Sequence, residues 1–137
     1  MQIVTDSATD TQMLKREDLK FPIVPLKVQL GERSFRDGID ISADDFYKEL
    51  DASSALPVTS QPSIGDFAEV YRQAAKTDPD ILSIHMSSGL SGTVDSARAA
   101  VALVPEANIT IVDTKTLSGA AGWQVAAAFQ AIKSGCL

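Results

Sequence analysis

The sequence predicts an α/β fold, in which a mainly parallel sheet is flanked by helices and a β-hairpin lies near residues 23–36. Two short apolar runs, residues 81–84 and 109–112, have the β-branched composition of buried strands. The residues after each run carry alanines and other apolar side chains at helical spacing. Strands that alternate with helices in this way form βαβ units with parallel strands and right-handed crossovers.

The beginning of the chain predicts a strand, a turn, a short helix and a second strand. Residues 2–5 have strand composition, and the polar cluster at residues 6–10 suits a turn and a helix cap. Residues 11–19 follow as a weakly amphipathic helix. Residues 23–30 alternate around Pro25 as one extended strand.

A hairpin and a capped helix come next. Gly31 and Glu32 suit the turn that leads into the hairpin's second strand. Ser42 with Asp45 three positions later is typical of a helix N-terminus, and the helix should run through Leu50. The expected apolar side of this helix consists of Phe46, Tyr47 and Leu50.

Residues 51–63 predict an extended loop, because Pro57 and Pro62 forbid a continuous helix there. Ser63 and Asp66 then have the spacing of a second capped helix. Its apolar positions repeat at helical spacing: Ile64, Phe67, Val70, Tyr71 and Ala74.

The second half of the chain continues the alternation. The strand at residues 81–84 breaks at residues 87–89, and a helix restarts at residues 91–93. After the strand at residues 109–112, an alanine-rich helix is expected over residues 117–133. Its tryptophan, Trp123, is expected to pack this helix against the sheet or against a further domain.

Composition limits the possible functions. The formal net charge is −6, from 18 acidic and 12 basic side chains, which argues against nucleic acid and against anionic lipid as partners. No apolar run reaches the length of a membrane span, and the first residues do not form a basic-then-apolar signal segment, so no membrane insertion is expected. The single cysteine, Cys136, excludes an internal disulfide and a cysteine-rich metal site, and is typical of a cytoplasmic protein.

The segment at residues 87–93 predicts an anion site. A strand that feeds through a Gly/Ser turn into a helix leaves the first helical N–H groups without intrahelical partners. These donors, the positive end of the helix dipole and the nearby hydroxyls favour a carboxylate. In parallel sheets, ligands lie at the carboxyl ends of the strands. The polar segments at residues 6–10 and 113–118 should therefore share this edge of the sheet, joined by the loop at residues 58–63.

Four motifs in this order resemble the DegV family. They are IVTDSATD at residues 3–10, TSQPS at 59–63, SSGLSGT at 87–93 and VDT at 112–114. The resemblance covers essentially the whole chain, and it implies a DegV-like amino-terminal α/β domain over residues 1–137. It further implies a fatty-acid carrier, not an enzyme, that buries an acyl chain and presents its carboxylate to a partner fatty-acid kinase.

The resemblance also implies roles for individual residues. It assigns Thr59 and Ser91 to hydrogen bonds with the fatty-acid carboxylate, with backbone donors near Ser60 and Gly92. Burial of about 15 methylenes, at roughly 0.8 kcal/mol each, contributes a gross ~12 kcal/mol, so the tail should dominate affinity. The candidates for an acyl slot also fit ordinary core packing, and they are Ile23, Leu26, Phe46, Ile64, Phe67 and Leu90.

Members of this family are roughly twice as long as the present sequence. The resemblance implies a second, carboxy-terminal α/β domain that closes over the head group and contributes a histidine. That domain does not match any part of residues 1–137, so it is expected as a missing partner of this domain.

Other functions remain open at this stage. Ser91, His85 and Asp113 could form a nucleophile, base and orienting acid, but Thr93 stands where a nucleophile elbow has glycine. His85 is more typical of a core or rim histidine than of a metal ligand. Asp6 and Asp113 could bind Mg²⁺ or accept a phosphoryl group, although acids at strand ends commonly cap turns.

The sequence contains neither a lysine-bearing phosphate loop nor a dinucleotide-binding motif, so no cofactor and no metal are expected. Two alternatives to a carrier are therefore an enzyme that acts on a small phosphorylated or carboxylated substrate, and a structural domain without a ligand of its own.

Overall fold

The computed structural model describes residues 1–14 and 17–136, with Gln12 and Met13 described through their backbone alone. In these ranges the strands are β1 (Gln2–Asp6), β2 (Ile23–Val24), β3 (Lys27–Leu30), β4 (Arg33–Arg36), β5 (Val58–Ser60), β6 (Asp80–His85) and β7 (Asn108–Asp113). The helices are α1 (Ala43–Ala52), α2 (Ile64–Ala75), α3 (Thr93–Val101) and α4 (Ser118–Lys133), and two 3₁₀ turns cover Ser7–Thr9 and Thr11–Leu14.

The main sheet is parallel, in the order β2-β1-β6-β7. The predicted α/β architecture is therefore confirmed. α2 and α3 cover one face of the sheet and α4 covers the other. Along β6 the side chains alternate between these faces: Ile81 packs toward α2 and α3, whereas Leu82 and Ile84 pack toward α4.

The core has one cluster on each face of the sheet. The cluster below α2 and α3 consists of Val4, Val24, Phe67, Ala68, Tyr71, Ala74, Ile81, Ala97, Ala100 and Val104. The smaller cluster below α4 centres on Ile3, Ile84 and Val125, with Phe21 and Phe129 packed against it. A sheet that is covered on both faces explains the apolar runs that predicted its inner strands.

A second, antiparallel sheet of β4, β3 and β5 lies beside the first. The predicted hairpin is confirmed, with Leu30 opposite Arg33 and Gly31 at a φ of 62°. The single strand expected over residues 23–30 is wrong, because it divides at Pro25 into β2 and β3, which belong to different sheets. Proline has no N–H for the ladder, and the Leu26 N–H donates to Ser7 Oγ instead of to a strand.

The loop expected over residues 51–63 contains a strand that the sequence did not predict. β5 pairs antiparallel with β3, and Thr59 lies opposite Val28. All three β5 residues are exposed, so they carry no alternation of apolar and polar side chains from which a strand could be recognised.

Two predicted helical features are also corrected. The helix expected over residues 11–19 is a 3₁₀ turn at Thr11–Leu14 and a turn at residues 17–18, while residues 15 and 16 lie outside the described part. In α1, Ser42 caps the helix as expected, but no α1 residue is buried. Its predicted apolar side therefore does not enter the core, and Tyr47 is 62% exposed.

α4 lies close to the first 3₁₀ turn. A Cβ at Gly122 would stand 2.6 Å from the carbonyl oxygen of Thr9, so the backbones approach at a distance that only glycine permits. Trp123 is 67% exposed, so it does not pack the helix against the sheet, and the alternative of packing against a further domain stays a prediction. In the described ranges, no helix combines the length and apolar character needed to cross a membrane.

Candidate functional site

A cavity of about 500 Å³ lies where the end of β6, the N-terminus of α3 and the end of β5 meet. The described residues that line it are uncharged: Leu26, Thr59, Ser60, Gln61, Met86, Leu90, Ser91 and Gly92. Its volume falls within the range of small-molecule sites, roughly 300–1,000 Å³. The cavity therefore combines hydroxyl and amide groups with a few apolar side chains.

β5 supplies one wall of this cavity. Pairing with β3 holds Thr59 and Ser60 at the rim, where both residues are exposed. The next residue, Gln61, crosses to the opposite wall, and its Nε2 donates to Ser96 Oγ at 3.1 Å. Pro62 is buried and Ser63 begins the capping box of α2, so the segment is held at both ends.

The turn between β6 and α3 supplies the other wall. The N–H groups of Leu90 and Ser91 both donate to the Ser87 carbonyl, at 3.0 and 3.2 Å. Ser91 Oγ lies 2.8 Å from Thr93 Oγ1 and accepts from the Thr93 N–H. The N-cap of α3 is Gly92, which has no side chain with which to cap the helix. The positive end of the α3 dipole therefore opens at the cavity.

Below the turn, a buried chain of hydrogen bonds links β1, β6 and α2. The Asp6 carboxylate accepts from the Met86 N–H and pairs with His85 Nδ1, both at 3.0 Å. His85 Nε2 lies 2.6 Å from Ser83 Oγ, which in turn lies 2.8 Å from Tyr71 Oη. Burial raises the pKa of Tyr71 to about 12. This chain holds Met86 at the floor of the cavity.

At the outer edge of the turn, Asp113 and Lys115 join β7 to the same segment. Asp113 accepts from the Ser88 N–H at 3.2 Å, and Lys115 Nζ reaches both Asp113 Oδ2 at 2.7 Å and Ser88 Oγ at 3.0 Å. Lys115 holds the pKa of the Asp113 carboxyl well below its usual range. The backbone N–H of Thr114 donates to the His85 carbonyl. The polar ends of β1, β6 and β7 therefore lie together at one edge of the sheet, as predicted.

The four residues assigned to the head group, Thr59, Ser60, Ser91 and Gly92, all line the one cavity. Their role toward a carboxylate stays a prediction. Sequence reasoning did not single out Gln61 and Met86 as lining residues. Gln61 lies inside the TSQPS motif, and its place between Thr59 and Ser63 is the sequence feature that could have identified it as a lining residue.

The six residues proposed for the acyl slot do not all line one cavity, and their role toward an acyl chain stays a prediction. Leu26 and Leu90 line the first cavity, whereas Ile23 lines a second cavity of about 580 Å³. Phe67 is fully buried against His85 and Tyr71, Phe46 is half-buried, and Ile64 is exposed. The second cavity is bordered by Ser7, Asp10, Thr11, Ile23, Pro25, Asp37, Gly38, Ile39, Ala43 and Tyr47.

The grouping of Ser91, His85 and Asp113 as nucleophile, base and orienting acid is not assembled. His85 is fully buried and hydrogen-bonded to Asp6 and Ser83, while Ser91 pairs with Thr93 and Asp113 with Lys115. The described residues contain no cluster of three or more His, Cys, Asp or Glu side chains suited to a metal ion.

The fold and the cavity together define an α/β domain with a cavity at the carboxyl ends of its parallel strands, where ligands of such sheets lie. The sequence profile described as "Uncharacterised protein, DegV family" matches residues 1–136. The chain belongs to the DegV family.

Relatives with known structures share this fold. DegV from Bacillus subtilis, a fatty-acid-binding protein, is 34% identical with a TM-score of 0.92, and the match covers 98% of this chain and 48% of that one. A fatty-acid-binding DegV family protein from Thermus thermophilus is 38% identical with a TM-score of 0.85, at the same coverage. The chain thus spans about half the length of these relatives.

A shorter relative also matches. The DegV domain-containing 15.5 kDa protein from Staphylococcus aureus is 39% identical over 125 residues, which cover 90% of this chain and 86% of that protein.

Proposed function

We propose that this domain binds a long-chain fatty acid, with its carboxylate between Thr59 and Ser91 and its acyl chain buried. The observation that carries the proposal is the convergence of these two hydroxyls with the N-terminus of α3 on one uncharged cavity. Fatty-acid binding by DegV relatives of 34% and 38% identity supports the same ligand class.

The head-group chemistry follows from the donors that line the cavity. A carboxylate accepts hydrogen bonds from the Thr59 and Ser91 hydroxyls and from backbone N–H groups near Ser60 and Gly92. Hydrogen bonds to a charged acceptor are roughly twice as strong as neutral ones. The dipole of α3 adds a favourable field at this point. The head group therefore fixes the orientation of the ligand and selects an acid.

The tail requires apolar surface that continues from the head-group cavity. Leu26, Met86 and Leu90 supply apolar side chains beside the hydroxyls. Ile23 and Pro25, which precede Leu26 in the same segment, border the second cavity. We expect the acyl chain to leave the head group past Leu26 and to run toward this second cavity.

The proposal includes a partner. The bound carboxyl group is presented for phosphorylation by a fatty-acid kinase, so the domain acts as a carrier in the cytoplasm and not as an enzyme. The proposal also takes a second, carboxy-terminal domain as a partner of this one, and the greater length of its relatives supports that part of the proposal.

Organic extraction of the purified protein, followed by mass spectrometry, tests the ligand class. We expect a co-purifying fatty acid, and binding of added palmitic acid in a calorimetric titration after delipidation. Absence of both would contradict the proposal and would favour a different small ligand at this cavity.

The head-group assignment has its own test. Replacing both Thr59 and Ser91 by alanine removes two charge-assisted hydrogen bonds and should weaken palmitic acid binding by about 2–4 kcal/mol. Alanine at Thr110 and Ser134, neither of which lines the cavity, removes the same two hydroxyl types as a matched control. An unchanged affinity in the Thr59→Ala, Ser91→Ala protein would show that the head group lies elsewhere.

A further inference from the structure

The two walls of the cavity are joined by the side chain of Gln61. We infer that Gln61 is a positioning residue for the carboxylate pocket: its amide packs on Gly92 and bonds Ser96, and so sets the separation of Thr59 and Ser91. This inference rests on the proposed function.

The packing of Gln61 on Gly92 is unusually close. A Cβ built on Gly92 would stand 2.2 Å from Gln61 Oε1 and 2.8 Å from both Cδ and Nε2. The φ of Gly92 is −73°, a value that any residue adopts. A Cβ at this position would therefore displace the Gln61 amide, whereas the backbone conformation at Gly92 accepts any residue.

The hydrogen bond to Ser96 completes the contact. Gln61 Nε2 donates to Ser96 Oγ at 3.1 Å, and Ser96 is buried on the first turn of α3. The Ser96 N–H donates to the Gly92 carbonyl, so both partners of Gln61 belong to one helical turn. Gln61 therefore contacts the first turn of α3 at both ends, at the N-cap Gly92 and at Ser96.

The consequence concerns the two hydroxyls. Thr59 precedes Gln61 by two residues on β5, and Ser91 directly precedes Gly92. The described hydrogen bonds of Thr59 and Ser60 within β5 reach β3, whereas those of Ser91 and Gly92 remain within the turn and α3. Gln61 crosses between these two groups, and its neutral amide adds no charge beside a bound carboxylate.

Removal of the contact from either side should have the same effect. Gln61→Ala deletes the amide, and Gly92→Ala displaces it with a methyl group. We expect each substitution to weaken palmitic acid binding roughly 10-fold. The double variant should bind palmitic acid as tightly as either single variant, because the effects of coupled residues are not additive. Gly89→Ala is the matched control, because its Cβ would meet Ser87 Oγ at 3.4 Å, an ordinary contact.

A comparison of acid with alcohol separates positioning from general stabilisation. In Gln61→Ala, affinity for palmitic acid should fall several-fold more than affinity for palmityl alcohol, because the contact positions the carboxylate donors. Gln61→Glu keeps the shape but adds a negative charge, so its acid affinity relative to the wild type at the same pH should rise as pH falls and the added carboxylate is protonated. A merely structural role would lower both affinities equally and leave no such pH profile.

The two hypotheses fail in different ways. If the wild-type protein binds palmitic acid and folded Gln61→Ala binds it equally well, the inference is overturned alone. The same holds if acid and alcohol affinities fall together. If the wild-type protein binds no fatty acid, the proposed function is overturned and the role of Gln61 falls with it.

Discussion

Tyr71 illustrates how single residues satisfy their polar atoms in the interior of this domain. Its side chain is fully buried against Phe67, yet its hydroxyl group lies 2.8 Å from Ser83 Oγ. Ser83 continues the hydrogen bonding to His85 and Asp6. Among the described residues that are not exposed, no buried side-chain nitrogen or oxygen lacks a partner. Replacing one member of such a chain leaves its neighbour unpaired, which costs about 1–3 kcal/mol.

The raised pKa of Tyr71 predicts a loss of stability in alkali. The phenol has a pKa of 10.0 when unfolded and about 12 when folded. Between these values the folded state holds a proton that the unfolded state has released, so the free energy of unfolding falls as pH rises. Across this pH window the free energy of unfolding should fall by about 2–3 kcal/mol, because one pKa unit corresponds to about 1.4 kcal/mol.

Chemical denaturation across this pH window measures the effect. The free energy of unfolding should fall less steeply with pH in Tyr71→Phe than in the wild type. Tyr47→Phe is the control, because the side chain of Tyr47 is exposed. Parallel slopes in the wild type and Tyr71→Phe would contradict the assignment.

At the scale of elements, the docking of α4 depends on one close backbone approach. Gly122 faces the carbonyl oxygen of Thr9 in the 3₁₀ turn that follows β1. The start of the helix is tied to the same region, because Ser118 Oγ donates to Asp10 Oδ2 at 2.5 Å. The position of α4 over the sheet is therefore fixed partly by contacts with the residues that follow β1, beside the apolar packing of Val125 on Ile3 and Ile84.

Alanine substitutions in α4 should separate helix propensity from docking. Gly122→Ala places a methyl group 2.6 Å from a backbone oxygen and should destabilise the fold by about 1–3 kcal/mol, as overpacking does. Gly119→Ala, where a Cβ meets nothing within 4 Å, should be neutral or stabilise by up to about 1 kcal/mol. Thermal unfolding of both variants provides the measurement, and equal effects would rule out the close approach.

At the scale of the whole molecule, the cavity exists because two sheets are placed side by side. The parallel sheet contributes Met86 and the turn before α3, and the antiparallel sheet contributes Thr59 and Ser60. Leu26 lies between β2 of one sheet and β3 of the other. A ligand in this cavity would contact both sheets, so binding should stabilise the folded domain as a unit.

This linkage predicts a ligand-dependent rise in the free energy of unfolding. Free palmitic acid at about 100 times its dissociation constant should add about 2.7 kcal/mol, because it binds the folded state alone. Unfolding measured by fluorescence at increasing ligand concentration would follow the effect. The variant with alanine at Thr59 and Ser91 should need a higher concentration for the same rise. If the two proteins respond identically, the proposed contacts of the head group are incorrect.

Local patterns were sufficient for much of this architecture. Capping residues at Ser42 and Ser63 marked the starts of α1 and α2, and the apolar runs of β6 and β7 indicated a covered parallel sheet. The TSQPS and SSGLSGT motifs identified the family. These features can be predicted from the sequence because helix caps and buried strands depend on residues that are near one another in the chain.

Other features were decided by pairing between distant residues. β5 is a strand because β3 lies beside it, Pro25 divides a single extended segment between two sheets, and the Gln61 amide packs on Gly92. Asp6, His85 and Ser83 form one hydrogen-bonded chain although 79 residues separate the first two. No local pattern encodes such contacts, because their free energy arises only when folding brings separate segments within hydrogen-bonding and packing distance.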